Sequence, residues 1–475
     1  MVRNIITAIV LLCLAQTIPS SLKACSSFKF QRDGEFFYGH VLDEPGMRIP
    51  GVIYINKRGV FKTGRSFEEM FTNPPSAPYF EELVPRSKLC WISRFGSITA
   101  SAWGRDFPDG GFNEAGLFIW EMSLVGTRYP VNDTLPKLMK MNWMQFVLDN
   151  CATLDEAIAT TQSIEINGWQ WHYFVGDGRG DCATIEFIDG KVVIHRGETL
   201  PIPALFNQTY ERDMSYLPYF KGFGGTYEPD LDEFRVPRMV KTAVLLRDYD
   251  PARDNATDYA KELLWNVGNK PYKWGILIDV KRKKIYFRTD PAMEWKTFSY
   301  ADIDFSNAGP VLTLQIDQEK GGDVLSRFHP QDDSEVEQVL LEFGLPDDFF
   351  SYFGITRQEF AKRFSTAYHE AENPERHYFV GTWKGELPGT NDKDEDRQFT
   401  LELKAEGSNV SGSVHFKGKD YPIAHINLID KDLTFTFRAD DHNIFIPKCH
   451  IDGNFLNVSL RRTEWFIGDF MMEKQ

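Results

Sequence analysis

The residue with the most chemistry in prospect is Cys25, which comes after Leu22-Lys23-Ala24 at the end of a segment that reads as a cleavable leader. A cut after Ala24 makes it the first residue of the mature chain. A thiol is a good nucleophile once a base takes its proton. A free α-amine, with a reference pKa of about 7.7 to 8.0, can be that base at working pH. One residue then supplies both groups, provided that proteolysis comes first, because an amide nitrogen cannot accept the proton. Two other fates are open to a cysteine here. Lipidation fits Leu22 and Ala24 but not Lys23, and a structural disulfide is the third. Position alone does not choose among them.

The residues downstream of Cys25 do choose. CSSFKF, then GHVLDEP with Asp43, then DGGFNEAGLFIW resembles the choloylglycine hydrolase and penicillin V acylase family of N-terminal-nucleophile enzymes. Further on, WHYFVGDGRGDCATIEFIDGKVVIH looks like that family's central strand pair, LFNQTY like its Thr-Asn-Ser segment, and DEFRVPRMVKTAVLL like the start of its arginine-bearing helix. The match runs in one consistent order from Cys25 to about Asp304, which is more specific than any one motif. It implies a four-layer αββα N-terminal-nucleophile domain that hydrolyses a linear, non-peptide amide without cofactor or metal. Cys25 is then the nucleophile and Asp43 accepts a hydrogen bond from its α-amine. Asn207 donates to the oxyanion, and Arg238 steadies the site electrostatically. His40, Trp120 and Ser123 fall on the substrate side, with Glu121 as a further wall residue. Two departures stand out. His40 occupies a place where bile-salt hydrolases carry arginine, and a neutral imidazole supplies a weaker positive field than a guanidinium. Ser123 falls where that family has the second asparagine of its oxyanion hole.

The same residues admit plainer readings. Asp43 precedes Pro45 and would suit a turn. Asn207-Gln208-Thr209 is also a glycan acceptor triplet, and a catalytic and a glycosylated Asn207 exclude each other. Arg238 could pair with Glu233 at the surface for little gain. His40, His172 and His195 could be ordinary core or surface histidines, and no HExxH or Cys/His cluster suggests a metal. Trp103, Trp120, Trp169 and Trp171 are core by default, with one or two available to an acyl pocket.

The leader itself, residues 1–24, has Arg3 near its start, an apolar run from Ile5 to Ala15 and a short polar stretch closing on Ala24. That run is too short to span a bilayer, and no later stretch approaches the roughly 20 apolar residues a spanning helix needs. The expectation is an exported protein, periplasmic or secreted, with lipid anchoring second. Losing Arg3 and Lys23 takes the formal charge from −15 to −17. Such a surface repels nucleic acid and anionic headgroups. The partner expected is a small N-acyl amide, and a homo-oligomer is compatible with all of this. Five cysteines lie beyond the leader, Cys25, Cys90, Cys151, Cys182 and Cys449. The odd number leaves at least one thiol unpaired within the chain.

The elements that must position these groups fall into an α+β pattern. Strands open the mature chain at CSSFKF and EFFYGHVL, joined at Asp33-Gly34, and continue through GVIYINKRG, Trp91 to Trp103 and GLFIWEMSL. Helical spacing marks Leu138 to Asn150, and Thr153 with Glu156 forms a capping box for the next helix. After WHYFVGD, CATIEFIDG and KVVIHRG come helices over Val240 to Tyr249 and Tyr259 to Trp265, then KWGILIDV and KIYFRTD. Strands and helices do not alternate regularly, which favours stacked layers over a doubly wound sheet. The domain plan is a leader at 1–24, an amidase domain at 25–309, a helical connector at 310–375 and a small β-barrel or sandwich at 376–475. The connector holds helices at Ser334 to Phe343 and, after the capping box of Thr356 and Glu359, at Gln358 to Ala371. A rival plan keeps the fold but not the activity: an exported binding protein whose C-terminal β domain carries the function.

Overall fold

The computed structural model describes residues 25–44, 46–71, 88–268, 271–318, 320–373, 378–388, 397–439, 443–463 and 465–475. Residues 1–24, expected to be a leader, lie outside these residues, as do Pro45 and an acidic stretch at 391–396.

The strand Ser26–Arg32, which follows Cys25, turns at Asp33-Gly34 into Glu35–Leu42, pairing Ser27 with His40 and Arg32 with Glu35. Both turn residues have positive φ, 52° and 77°. This is the geometry whose twist suits a two-residue hairpin, and aspartate next to glycine tolerates it. The pair forms the centre of a sheet ordered Ala204–Leu205, Ser26–Arg32, Glu35–Leu42, Trp274–Asp279, Lys284–Thr289, Ala292–Ser299, Gly322–Asp323. Alternation along Ser26–Arg32 sends Phe28 and Phe30 to one face and Ser27 and Lys29 to the other. Phe30 meets Tyr249 and Tyr259 on the side of the helices Arg238–Asp248 and Ala256–Val267.

Against the opposite face lies a second sheet that runs from Lys191–Arg196 through Cys182–Ile188, Trp171–Gly176, Phe118–Ser123, Gly110–Asn113, Ser97–Ser101 and Val52–Asn56 to Leu312–Gln315 and His329–Pro330. Tyr38 of the first sheet stacks on Phe118 of the second, with centroids 4.7 Å apart, and His40 stacks on Trp120 at 4.5 Å. Lys140–Asn150 and Leu154–Ser163 pack on the outer side of this sheet. The second of these helices starts at the expected capping box of Thr153 and Glu156.

The described residues of the stretch expected to be a helical connector pack into this body. Leu312–Gln315 pairs antiparallel with Val52–Asn56. The helices Asp333–Leu341 and Arg357–Ala371, close to the expected bounds, bury Leu340, Phe360 and Phe364 in the first core, where Trp103 meets Phe343 and Phe360. The sequence showed the helices but not the short strand that ties the segment in.

The remainder is an eight-stranded antiparallel barrel. Gly381–Glu386, Gln398–Glu406, Asn409–Phe416, Lys419–Ile429, Asp432–Arg438, Ile444–Asp452, Phe455–Arg462 and Trp465–Lys474 succeed one another around it. Pairing of the first strand with the last closes the ring. Its interior is filled by Trp383, Phe399, Phe416, Phe435, Phe437 and their neighbours. Two strands of the first body, Phe61–Thr63 and Cys90–Ile92, attach to this sheet where Trp91 pairs with Ile429. The five cysteines among the described residues are all buried and form no disulfide. No helix among the described residues is long and apolar enough to cross a membrane.

Candidate active site

Cys25 sits just before the strand Ser26–Arg32, 4% exposed, between the two sheets. Its Sγ donates to the backbone carbonyl of Asp43 at 3.7 Å. The hairpin register explains this neighbour: Ser26 opposite Val41 brings the end of the second strand, and with it the buried Asp43, alongside the first residue. Burial is the main cause that pushes the Cys25 thiol well above its ordinary range, and the charge of Glu121 adds to it.

Arg238 begins its helix directly after Val236-Pro237, and its half-buried guanidinium turns inward. Nη1 donates to the carbonyl oxygen of Cys25 at 2.8 Å and to Ser26 Oγ at 2.9 Å, and Nη2 donates to Asn207 Oδ1 at 3.0 Å. The surface pairing with Glu233 does not form; that carboxylate accepts from the backbone N–H of Arg235 instead. Burial lowers the Arg238 pKa, and Asp213, Cys25 and Asp43 act against that shift.

Asn207 comes just after the edge strand Ala204–Leu205 and is 7% exposed. Its Nδ2 donates to the carbonyl of Ser123 at 2.9 Å, and its Oδ1 is taken by Arg238. A glycan needs an accessible amide nitrogen, so this burial excludes the glycosylation reading in the folded protein. Thr209, the other half of that triplet, caps the helix Tyr210–Met214 by accepting from Arg212 N.

Cys25, Asp43, Asn207, Arg238 and the Ser123 carbonyl therefore converge. His40 and Trp120 form a separate layer beneath them. The His40 ring is fully buried, with Nδ1 2.8 Å from Ser27 Oγ, and burial holds its pKa well below the usual range, so the imidazole is neutral. Sequence reasoning did not single out Ser26, whose Oγ donates to the carbonyl of Val267 at 2.6 Å while accepting from Arg238. The signal was there in Ser26, a polar residue on the strand face that otherwise carries Phe28 and Phe30. A groove of about 560 Å³ lined by Lys29, Arg32, Cys182, Arg196 and Arg247 lies at the far end of the strand Ser26–Arg32 and does not reach Cys25.

Two packed sheets flanked by helices, with a buried cysteine just before a central strand, make an α+β fold of the N-terminal-nucleophile-hydrolase-like kind. A penicillin V acylase from Agrobacterium tumefaciens shares the fold, with a TM-score of 0.53 at 22% identity over 65% of this chain and 98% of that one. A variant of conjugated bile acid hydrolase from Clostridium perfringens is a looser likeness, with a TM-score of 0.47 at 12% identity over 62% and 98%. In sequence, a penicillin V acylase from Pectobacterium atrosepticum is 29% identical over 181 residues. That match covers 34% of this chain and 48% of the relative, so it spans about half of the relative's length. No protein-family model matches the chain. In sequence over part of its length, and in fold over about two thirds of it, the chain is thus similar to penicillin V acylases.

Proposed function

We propose that this protein hydrolyses a linear, non-peptide N-acyl amide to a carboxylic acid and an amine, with Cys25 as an N-terminal nucleophile freed by cleavage after Ala24. In finer terms, its first body is a four-layer αββα hydrolase domain of an exported protein. The observation that carries the reading is the Arg238 guanidinium, which joins the backbone of Cys25 to the amide of Asn207 through three hydrogen bonds.

In the uncut chain, burial and Glu121 hold the thiol protonated. Cleavage creates an α-amine on the same residue, with Asp43 near enough to orient it. The amine takes the thiol proton and the thiolate attacks the acyl carbonyl. Asn207 Nδ2, already fixed on Ser123, turns its second N–H toward the developing oxyanion. A preorganised donor of this kind is typically worth about 10²–10³ in rate. The ammonium then protonates the leaving amine. Water, deprotonated by the regenerated α-amine, opens the thioester and releases the acid. Ser123, Trp120 and His40 shape the acyl side, with His40 acting through Ser27.

The test compares the chain starting at Cys25 with its Cys25→Ala variant and with the uncut chain on aryl-acetyl, bile-acyl, long-chain acyl and homoserine-lactone amides. Turnover is expected from the first alone. Cys25→Ser keeps the amine and the fold and loses most of the rate. Equal turnover by Cys25→Ala would falsify the assignment.

A further inference from the structure

Two fully buried titratable side chains that do not touch the thiol grip the segment carrying Asn207. His172 lies in Trp171–Gly176 and Glu186 in Cys182–Ile188, both 0% exposed. These strands pair antiparallel with Tyr173 opposite Ile185, which sets His172 across from Glu186. His172 Nδ1 is 3.1 Å from Glu186 Oε1, and Nε2 is 2.6 Å from the carbonyl oxygen of Phe206, the residue before Asn207. The same Glu186 carboxylate accepts from the backbone N–H of Tyr210 at 3.1 and 3.2 Å. One dyad thus ties down both ends of the stretch Phe206 to Tyr210, with Asn207 suspended between the ties.

Both partners of the imidazole are acceptors. A neutral imidazole has a single N–H and can satisfy only one of them, so two donated bonds require a proton on each ring nitrogen. Glu186 supplies the compensating charge in a place closed to water. Such a pair is held for its geometry more than for stability, since an apolar replacement of a buried ion pair is often neutral or better. The other titratable groups around the dyad are His195, with Nε2 3.6 Å from Glu186 Oε2, and Asp213, which feels the charges of both Glu186 and Arg238.

We infer that His172 is kept as an imidazolium by Glu186 and that this pair is the positioning device of the oxyanion site. It aligns the backbone around Asn207, while Ser123 and Arg238 align its side chain. The inference rests on the proposed amidase reading for its catalytic consequence and on geometry alone for the protonation state.

The experiment therefore has two arms. With ¹⁵N-labelled histidine in the mature protein at pH 7.5, His172 should show two slowly exchanging ring N–H protons, and Glu186→Gln should leave one. A single ring N–H in the wild type overturns the charge assignment. On whichever amide of the panel the wild type hydrolyses, Glu186→Gln and His172→Gln should lower kcat about 10²-fold with KM within about threefold. The rate is referred to the amount of reactive Cys25 thiol, so that partial misfolding cannot imitate the effect. An unchanged kcat overturns the positioning role. If the wild type turns over none of the amides, the amidase reading has failed, and amide hydrogen exchange over 206–210 decides the inference alone. Exchange at least tenfold faster in Glu186→Gln supports it, and equal exchange overturns it.

Discussion

Arg238 reaches three groups because a guanidinium is a rigid fork. Nη1 spans the Cys25 carbonyl and Ser26 Oγ while Nη2 points at Asn207. A lysine ammonium carries the same charge on a flexible stem and cannot hold both directions at once. Arg238→Lys should keep the fold by circular dichroism and lower kcat by about 10²-fold, since Asn207 loses the partner on its oxygen. A kcat within threefold of wild type would reduce Arg238 to a source of charge. Asp213, a neighbour of Arg238, yields a prediction in pH. Burial is the main cause that raises its carboxyl from 3.8 to about 7, opposed by Arg238 and reinforced by Glu186. Between those two values the folded chain holds a proton that the unfolded chain has released, so this group's contribution to stability falls as pH rises through the window. Asp213→Asn should remove about one proton from the linkage. The stability slope between pH 4.5 and 6.5 becomes less negative by about 1.4 kcal/mol per pH unit, as read from urea unfolding. An identical slope in the variant contradicts the shift.

At the scale of elements, the strand Gly110–Asn113 shows how a backbone choice serves the site. Gly110 is paired with Trp120, and a Cβ there would stand 2.2 Å from the indole that stacks on His40. Gly110→Ala must push Trp120 aside. Overpacking of this sort costs about 1–3 kcal/mol, so both the melting temperature and the catalytic rate should fall; retention of both would show that the indole is free to move. The glycine's meaning was not legible in the sequence, because it depends on which strand lies alongside. Local signals were legible. Both capping boxes, Thr153 with Glu156 and Thr356 with Glu359, form as the spacing required, as does the Asp33-Gly34 hairpin. Two barrel strands, Lys419–Ile429 and Ile444–Asp452, are hard to read from the sequence, because each contains a proline, Pro422 or Pro447. Proline normally argues against a strand interior because it cannot donate to the ladder. The first of these strands also carries an irregularity between Ala424 and Asn427, with His425 at a φ of 52°, and this interrupts the apolar alternation that would have revealed it. In the candidate site, Cys25, Asp43, Asn207 and Arg238 were singled out through ordered motifs, and the structure brings them together. Ser26 and the His172–Glu186 pair were not singled out, since their partners are set by sheet register.

The molecule as a whole is held together asymmetrically. The barrel closes on itself through Trp383 opposite Lys474 and Ser413 opposite Pro422, so its own hydrogen-bond ring does not depend on the first body. The first body does depend on the barrel. Its hairpin of Phe61–Thr63 and Cys90–Ile92 is two-faced: Phe61, Cys90 and Ile92 join the barrel's core, while Trp91 and Lys62 point back. Trp91 Nε1 donates to Asp149 Oδ2 at 2.8 Å, and the Lys62 ammonium sits 2.8 Å from Asp106 and 3.0 Å from Asp149, all buried. Removing the barrel would expose one face of this hairpin and bring water toward a buried charge cluster on the other, where each charge is tolerable only while the set stays paired and enclosed. A fragment of residues 378–475 should therefore fold alone, giving a dispersed amide spectrum. A fragment of residues 25–373 should be less stable than the full chain and prone to associate through the uncovered strands. Cys90 reports the difference directly. In the full protein, burial foremost and then Asp430 push its thiol up to about 12, and it donates to the Asp430 carbonyl at 3.6 Å. Alkylation of Cys90 should thus require unfolding of the full chain and proceed readily in 25–373, while Cys151, buried within the first body, stays protected in both. Equal protection of Cys90 in the two proteins would mean that the first body closes this surface by itself, and that the barrel is an appendage and not a wall.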